Sequence, residues 1–265
     1  MDRVLNVVLK SYLALFFAFI FAPIVVLVLF AFNDSRFPSL PWSGFTLRWF
    51  EEVLSDPAVR DAASNSIVVA LTVAAIATPI GAMAAYFVSR WDFKGKGAYL
   101  GIVAAPPLLP LLVLALAFSV FFREAGFAAS LTTVTIAHVV LAAPFALGIM
   151  RMRISEMNVD TEQAAWNLGA GRWRTIATVV LPQAIPALAA AYLLSAAISW
   201  DEAVIAWYVS GMDVTLPVHV WSEFSAKIST AVNAIGALTF AASISMIVVA
   251  EILFFGLGKK RKHEQ

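Results

Sequence analysis

Residues 160–186 read DTEQAAWNLGAGRWRTIATVVLPQAIP, and this stretch decides how the rest of the chain is read. It is a polar island between two long apolar segments. Gln163, Ala164 and Ala165 are followed by Leu168 and Gly169, and Leu181-Pro182 closes the stretch. The spacing predicts a short helix ending at or near Gly169 or Gly171, where a left-handed residue costs least. A second amphipathic stretch, 173–180, then leads into Pro182 and Pro186. A soluble helical hairpin is the plain alternative, and the apolar flanks argue against it.

Of 265 residues, 61% are hydrophobic and only 13% charged; mean hydropathy is +0.85. Soluble domains carry about a quarter charged residues, so the composition is that of an integral membrane protein. There is no Cys, which excludes disulfides and Cys-based metal or redox chemistry.

Six apolar runs are expected to span a bilayer: about 12–32, 66–88, 98–122, 130–150, 184–209 and 232–257. Each is long enough to cross about 30 Å of hydrocarbon at about 1.5 Å per residue. The first run exceeds the length of a signal-peptide core and no small-x-small site precedes Asn33, so it reads as a retained span; Pro23 is expected to kink it. Residues 33–65 read as a polar loop broken by Pro38, Pro41 and Gly44. Within it, Thr46 could cap a short interfacial helix over 47–54, with Trp49, Phe50, Val53 and Leu54 on its apolar side. Pro106, Pro107 and Pro110 interrupt the third run early, which lipid tolerates only where neighbours or a cavity satisfy the freed carbonyls. The chain thus reads as a single transmembrane domain over 1–265, with one long loop at 151–183 and a basic tail at 258–265.

Six spans place both termini on one side. That side carries 13 of the 18 Lys and Arg: Arg3, Lys10, the turn with Arg90, Lys94 and Lys96, the 151–183 loop, and the tail. The other side has Arg36, Arg48, Arg60, Arg123 and Lys227. The positive-inside rule makes the richer side cytoplasmic, termini and long loop included. The tail reads as a topology signal in contact with anionic lipid.

Carboxylates are costly in hydrocarbon and normally face a bundle interior or wet cavity. Asp201 and Glu202, in the outer half of the fifth run, are therefore candidates to line a pathway that attracts cations. Trp200, Trp207 and Tyr208 beside them can stack on alkylammonium groups. The alternative is an interfacial carboxylate pair with aromatic belt anchors. His138 lies about 12 Å from the outer end of the fourth run; it either gates such a pathway or bonds a neighbouring helix. Glu251, near the inner end of the sixth run, is expected to pair with a base or reach interfacial water.

No GxxxxGK[ST] occurs, so the chain is not expected to hydrolyse ATP. Neither a metal-ligand spacing nor a nucleophile-base constellation is present, and no basic, aromatic-interleaved surface suits nucleic acid.

The 151–183 loop resembles the cytoplasmic coupling ("EAA") loop of permease subunits in bacterial binding-protein-dependent ABC importers. That pattern is Glu-Ala-Ala, three residues, Gly, then about nine residues before Ile-x-Leu-Pro. Here it becomes Gln163-Ala164-Ala165, Gly169 and Val179-Val180-Leu181-Pro182, with Glu162 one place ahead of the expected acid. Which of Glu162 and Gln163 serves the coupling role is left open. Further pieces are similar to spermidine/putrescine importer permeases: FNDS near Asn33, GFTLRWF at 44–50, SWDEAVI at 199–205, TLP at 215–217 and VNAIGAL at 232–238. The resemblance implies an all-α polytopic bundle of six transmembrane helices, of the MetI-like permease type, in the inner membrane. It implies as partners a second, homologous permease subunit, two ATPase subunits and a periplasmic substrate-binding protein. No cofactor would be bound by this chain; ATP and Mg would act through the ATPase. The segment 163–168 would seat in a groove of that ATPase, and ATP would drive alternating access. A polyamine is the favoured solute, with an aminophosphonate, an opine-like or an amino-acid-like compound as alternatives. A secondary transporter needing no ATPase is the reading from another class, disfavoured because no inverted repeat is evident.

Overall fold

A computed structural model describes residues 2–226 and 229–262, with side chains described for 5–225, 229–245 and 248. The side chains of Glu251 and of the basic tail lie outside those described. The fold is nearly all helix; extended pairing is confined, among the described residues, to one bridge between Asn33 and Phe45.

The chain divides into two units, 1–60 with 220–242, and 61–219 with 243–265. In the first, α1 (Asp2–Phe30) runs through Pro23, and α2 is Arg48–Ser55. Residues 31–47 between them are pinned by Asn33, which is fully buried. Its side chain accepts from Ser43 N (3.0 Å) and donates to Ser39 O (3.2 Å), while its carbonyl accepts from Trp49 Nε1 (2.8 Å). Thr46 Oγ1 takes the Arg48 N–H (3.1 Å), close to the expected cap. Trp49 and Val53 are buried and Phe50 packs on Phe32, but Leu54 is exposed. The first part of α12 (Thr230–Lys262) belongs to this unit. Thr230 bonds the Ser35 and Arg36 carbonyls, and Gly236 lies against Leu27.

The second unit begins within α3 (Pro57–Arg90), which starts well before the run expected from residue 66. The physical reason is a helix start hidden in the presumed loop. Asp56 Oδ1 accepts from Ala58 N at 2.8 Å, and Pro57 occupies the first helical position, where a missing N–H costs nothing. The third expected run is not one helix. It comprises α4 (Lys96–Ala104), a 3-10 turn at Pro106–Leu108 and α5 (Leu111–Glu124). The prolines have no N–H to donate, so the α ladder stops and restarts around them. Then follow α6 (Leu131–Glu156), α7 (Val159–Asn167), α8 (Arg172–Thr175), α9 (Leu181–Asp201), α10 (Val204–Val209) and α11 (Leu216–Ala226). A π-helical turn, Ile176–Val180, joins α8 to α9, so this helix begins twelve residues ahead of the expected 184. Pro182 and Pro186 withhold two N–H groups just beyond the π turn, and Gln183 Nε2 reaches back to the Val179 carbonyl (2.9 Å). The fifth run is also cut, at Glu202-Ala203.

Four helices are long and apolar enough, among the described residues, to cross a membrane: Leu5–Phe30, Pro57–Arg90, Leu131–Glu156 and Arg172–Asp201; Thr230–Ser245 is a shorter apolar stretch. The second unit is packed with small residues. One cluster joins Val73, Ala77, Ala115, Ala137, Ala142, Ile205 and Ala206. The other joins Ala85, Ala146, Met150, Ile154, Ala184, Ala187 and Ala191. Small side chains let helix backbones approach where lipid offers no hydrophobic drive. Gly81 is one such close approach: an added Cβ would lie 2.6 Å from Ala146 Cβ and Leu147 N.

Candidate functional site

Two places in the second unit gather the polar groups singled out in the sequence. The first is the 151–183 segment. Asn158 caps α7, its side chain accepting from Asp160 N at 2.9 Å. The helix closes on Gly169, whose φ of +85° is the left-handed conformation. Gly169 N donates to Trp166 O (2.9 Å) and Ala170 N to Ala165 O (3.0 Å), the paired bonds of a Schellman motif. Gly171, the other candidate terminator, has φ −68°.

The motif residues divide by face. Glu162 is 2% exposed. Its carboxylate accepts from Tyr86 Oη (2.7 Å) and Arg90 Nε (2.8 Å), and Arg90 Nη2 lies 2.7 Å from Oε1. Gln163 and Ala164 are exposed and Ala165 is half-buried; Trp166 is 41% and Leu168 89% exposed. Leu181 is exposed and Pro182 half-buried at the start of α9. Arg153 Nε donates to Gln183 O (3.1 Å), tying α6 to α9. In the sequence Arg90 counts only as a charge of the basic turn, and Tyr86, four residues before it on α3, is not singled out. A Tyr and an Arg at that spacing on an apolar helix were the signal available.

Beneath this segment an apolar cavity of ≈ 240 Å³ lies between α3, α6 and residues 173–188, lined by Met83, Tyr86, Met150, Trp173 and Val180 among others. In the adjoining turn, the Lys96 ammonium bonds Asp92 at 2.8 Å and holds that exposed carboxyl below the usual range.

The second place is the break after α9. Glu202 is buried, and its carboxylate accepts from Val204 N (3.1 Å), Ile205 N (2.8 Å) and Ala206 N (3.3 Å). It therefore occupies the unpaired N–H groups at the start of α10, where a negative charge is favoured. His138 is fully buried against it, Nε2 lying 3.5 Å from Glu202 Oε2, with Nδ1 2.9 Å from Ser199 Oγ. Nδ1 and Ser199 Oγ are within hydrogen-bonding distance, with donor and acceptor set by the ring's tautomer. Trp200 is buried too, whereas Asp201, Trp207 and Tyr208 are exposed. The two adjacent carboxylates thus have different surroundings: Glu202 is consumed by backbone, and Asp201 is open. Among the described residues, no three His, Cys, Asp or Glu are grouped to hold a metal ion.

Residues 77–260 match the family described as "Binding-protein-dependent transport system inner membrane component". The chain belongs to this family. It is 28% identical over 244 residues to the spermidine/putrescine transport system permease protein PotC of Escherichia coli, covering 92% of each. To the putrescine transport system permease protein PotI of Escherichia coli it is 30% identical over 238 residues, covering 87% of this chain and 84% of that one. Its fold matches a solved bacterial ABC transporter involved in alginate import, with TM-score 0.75 at 16% identity over 96% of this chain and 95% of the other. A methionine ABC transporter matches with TM-score 0.62 at 17% identity over 80% of this chain and 99% of the other. The family member is a membrane permease of the MetI-like, all-helical kind, and its relatives are transport proteins rather than enzymes.

Proposed function

We propose that this chain is the membrane-spanning permease subunit of an ABC importer for a small polyamine, acting by ATP-driven alternating access. The observation that carries the reading is α7: a capped helix with one buried acid and an exposed face of Gln163, Ala164, Trp166 and Leu168. It sits where the family resemblance puts the ATPase-coupling loop. In this reading the exposed face seats in the ATPase, which binds ATP and Mg, and this chain hydrolyses nothing. Gln163, not Glu162, is the motif residue presented outward. A second, homologous permease completes the pathway, and a periplasmic binding protein delivers the solute. Six crossings, with the helices on either side of the Pro106–Leu108 turn counted as one, put both termini and the 151–183 loop in the cytoplasm of the inner membrane.

The solute class rests on two relatives whose names give spermidine and putrescine, and on Asp201, an exposed carboxylate six and seven positions before the exposed Trp207 and Tyr208 in the sequence. An exposed carboxylate and aromatic faces are the groups that hold an alkylammonium chain. Glu202 and His138 instead serve the fold by starting α10.

Uptake of labelled putrescine and spermidine by cells with and without this chain, its genetic neighbours intact, tests the proposal. Saturable uptake that vanishes with the chain is expected. Unchanged uptake with an assembled complex would overturn the polyamine assignment and turn the search to aminophosphonate, opine-like or amino-acid-like solutes. Uptake that survives ATP depletion with the ion gradient held would overturn the ABC reading itself.

A further inference from the structure

We infer that Glu162 is a positioning residue that ties the coupling helix to the inner end of α3, so that α3 moves with α7 when ATP is bound; this rests on reading α7 as the coupling helix. Chain connectivity already joins α7 to α6 through Met157-Asn158 and to α9 through residues 168–180. No such link reaches α3, whose end at Arg90 is about seventy residues away in sequence. Among the described residues, Glu162 is the α7 side chain that makes hydrogen bonds or an ion pair to another helix.

The geometry suits a stiff link. One carboxylate oxygen receives Arg90 and the other receives the Tyr86 hydroxyl, so both are taken. Glu162 is 2% and the Arg90 side chain 8% exposed. Charge-assisted bonds of this kind are short and directional. Separating a buried pair leaves an uncompensated charge in low dielectric. α7 therefore cannot shift away from α3 without a large penalty, while its outward face remains free to follow another protein. The inward acid and the outward Gln163 thereby have separate tasks: Gln163 meets the ATPase, and Glu162 hands the displacement to α3.

The chain has no Cys, so a single introduced cysteine labels cleanly. A nitroxide at Val68→Cys, an exposed position in the outer part of α3, reports on that helix in the complete transporter reconstituted in liposomes. With ATP and vanadate, the spectrum is expected to change in the native background. In Glu162→Gln the change should be lost while the ATPase still co-purifies and hydrolyses ATP. The reversed pair, Glu162→Arg with Arg90→Glu, should restore it, and serves as the readout if Glu162→Gln does not accumulate. A response in Glu162→Gln equal to the native one, no response in the native background, no restoration by the reversed pair, or loss of the ATPase from Glu162→Gln would each overturn the inference. Failure of the underlying reading has a different signature: Leu168→Asp, on the exposed face, would leave ATPase co-purification unchanged.

Discussion

Asp201 and Glu202 are neighbours with opposite circumstances. The Glu202 carboxylate satisfies three N–H groups of α10 and faces His138. Truncation to Ala strands those donors in a buried site, a cost of about 1–3 kcal/mol. Glu202→Ala should therefore lower the thermal unfolding midpoint of the detergent-solubilised chain and reduce uptake of every solute alike. Asp201→Asn should leave the midpoint unchanged and depress uptake of a cationic solute more than that of a neutral one. Equal loss for both solutes in Asp201→Asn would sink its assignment to the pathway. Acidity and position in an apolar run marked both residues as unusual. They could not rank them, because the ranking depends on which backbone N–H groups each carboxylate meets after the chain breaks at Ala203.

At the scale of elements, α7 is the best-specified helix. Asn158 starts it, Gly169 ends it, and an added Cβ at Gly169 meets nothing within 4 Å. The requirement for glycine is thus one of backbone conformation rather than space. A β-branched residue in the left-handed region costs about 1–2 kcal/mol, so Gly169→Val should fray the helix end and cut transport-coupled ATP hydrolysis. Gly171→Val, where φ is −68°, should be milder in the same ATPase assay. Equal defects in the two variants would show that the Schellman end is not what matters. Helix termination was legible here because Gly carries its meaning locally. The break in the third run was half legible: Pro106, Pro107 and Pro110 announced an interruption, yet not that it would yield two helices and a 3-10 turn. The α3 start at Asp56-Pro57 is equally local, but it lies inside a stretch whose polarity reads as a loop.

For the whole molecule, packing of the second unit rests on small residues at helix crossings, Gly81 among them. A Cβ there would lie 2.6 Å from Ala146 Cβ and Leu147 N, so even Ala must push α3 and α6 apart. Overpacking of this kind costs about 1–3 kcal/mol. Gly81→Ala should lower the unfolding midpoint in detergent and weaken assembly, whereas Gly148→Ala, which faces open space in this chain, should leave the midpoint unchanged. A native midpoint for Gly81→Ala would contradict the packing described. The sequence alone determined the membrane class, the all-helical fold and the end of α7 at Gly169, because hydropathy, Gly and Pro act over a few residues. Only tertiary structure decided that Glu162 turns inward to Arg90 and Tyr86, and that His138 and Glu202 meet. Those pairings join residues sixty-four to seventy-six positions apart, and no short-range rule fixes which polar groups will face each other once apolar helices have packed.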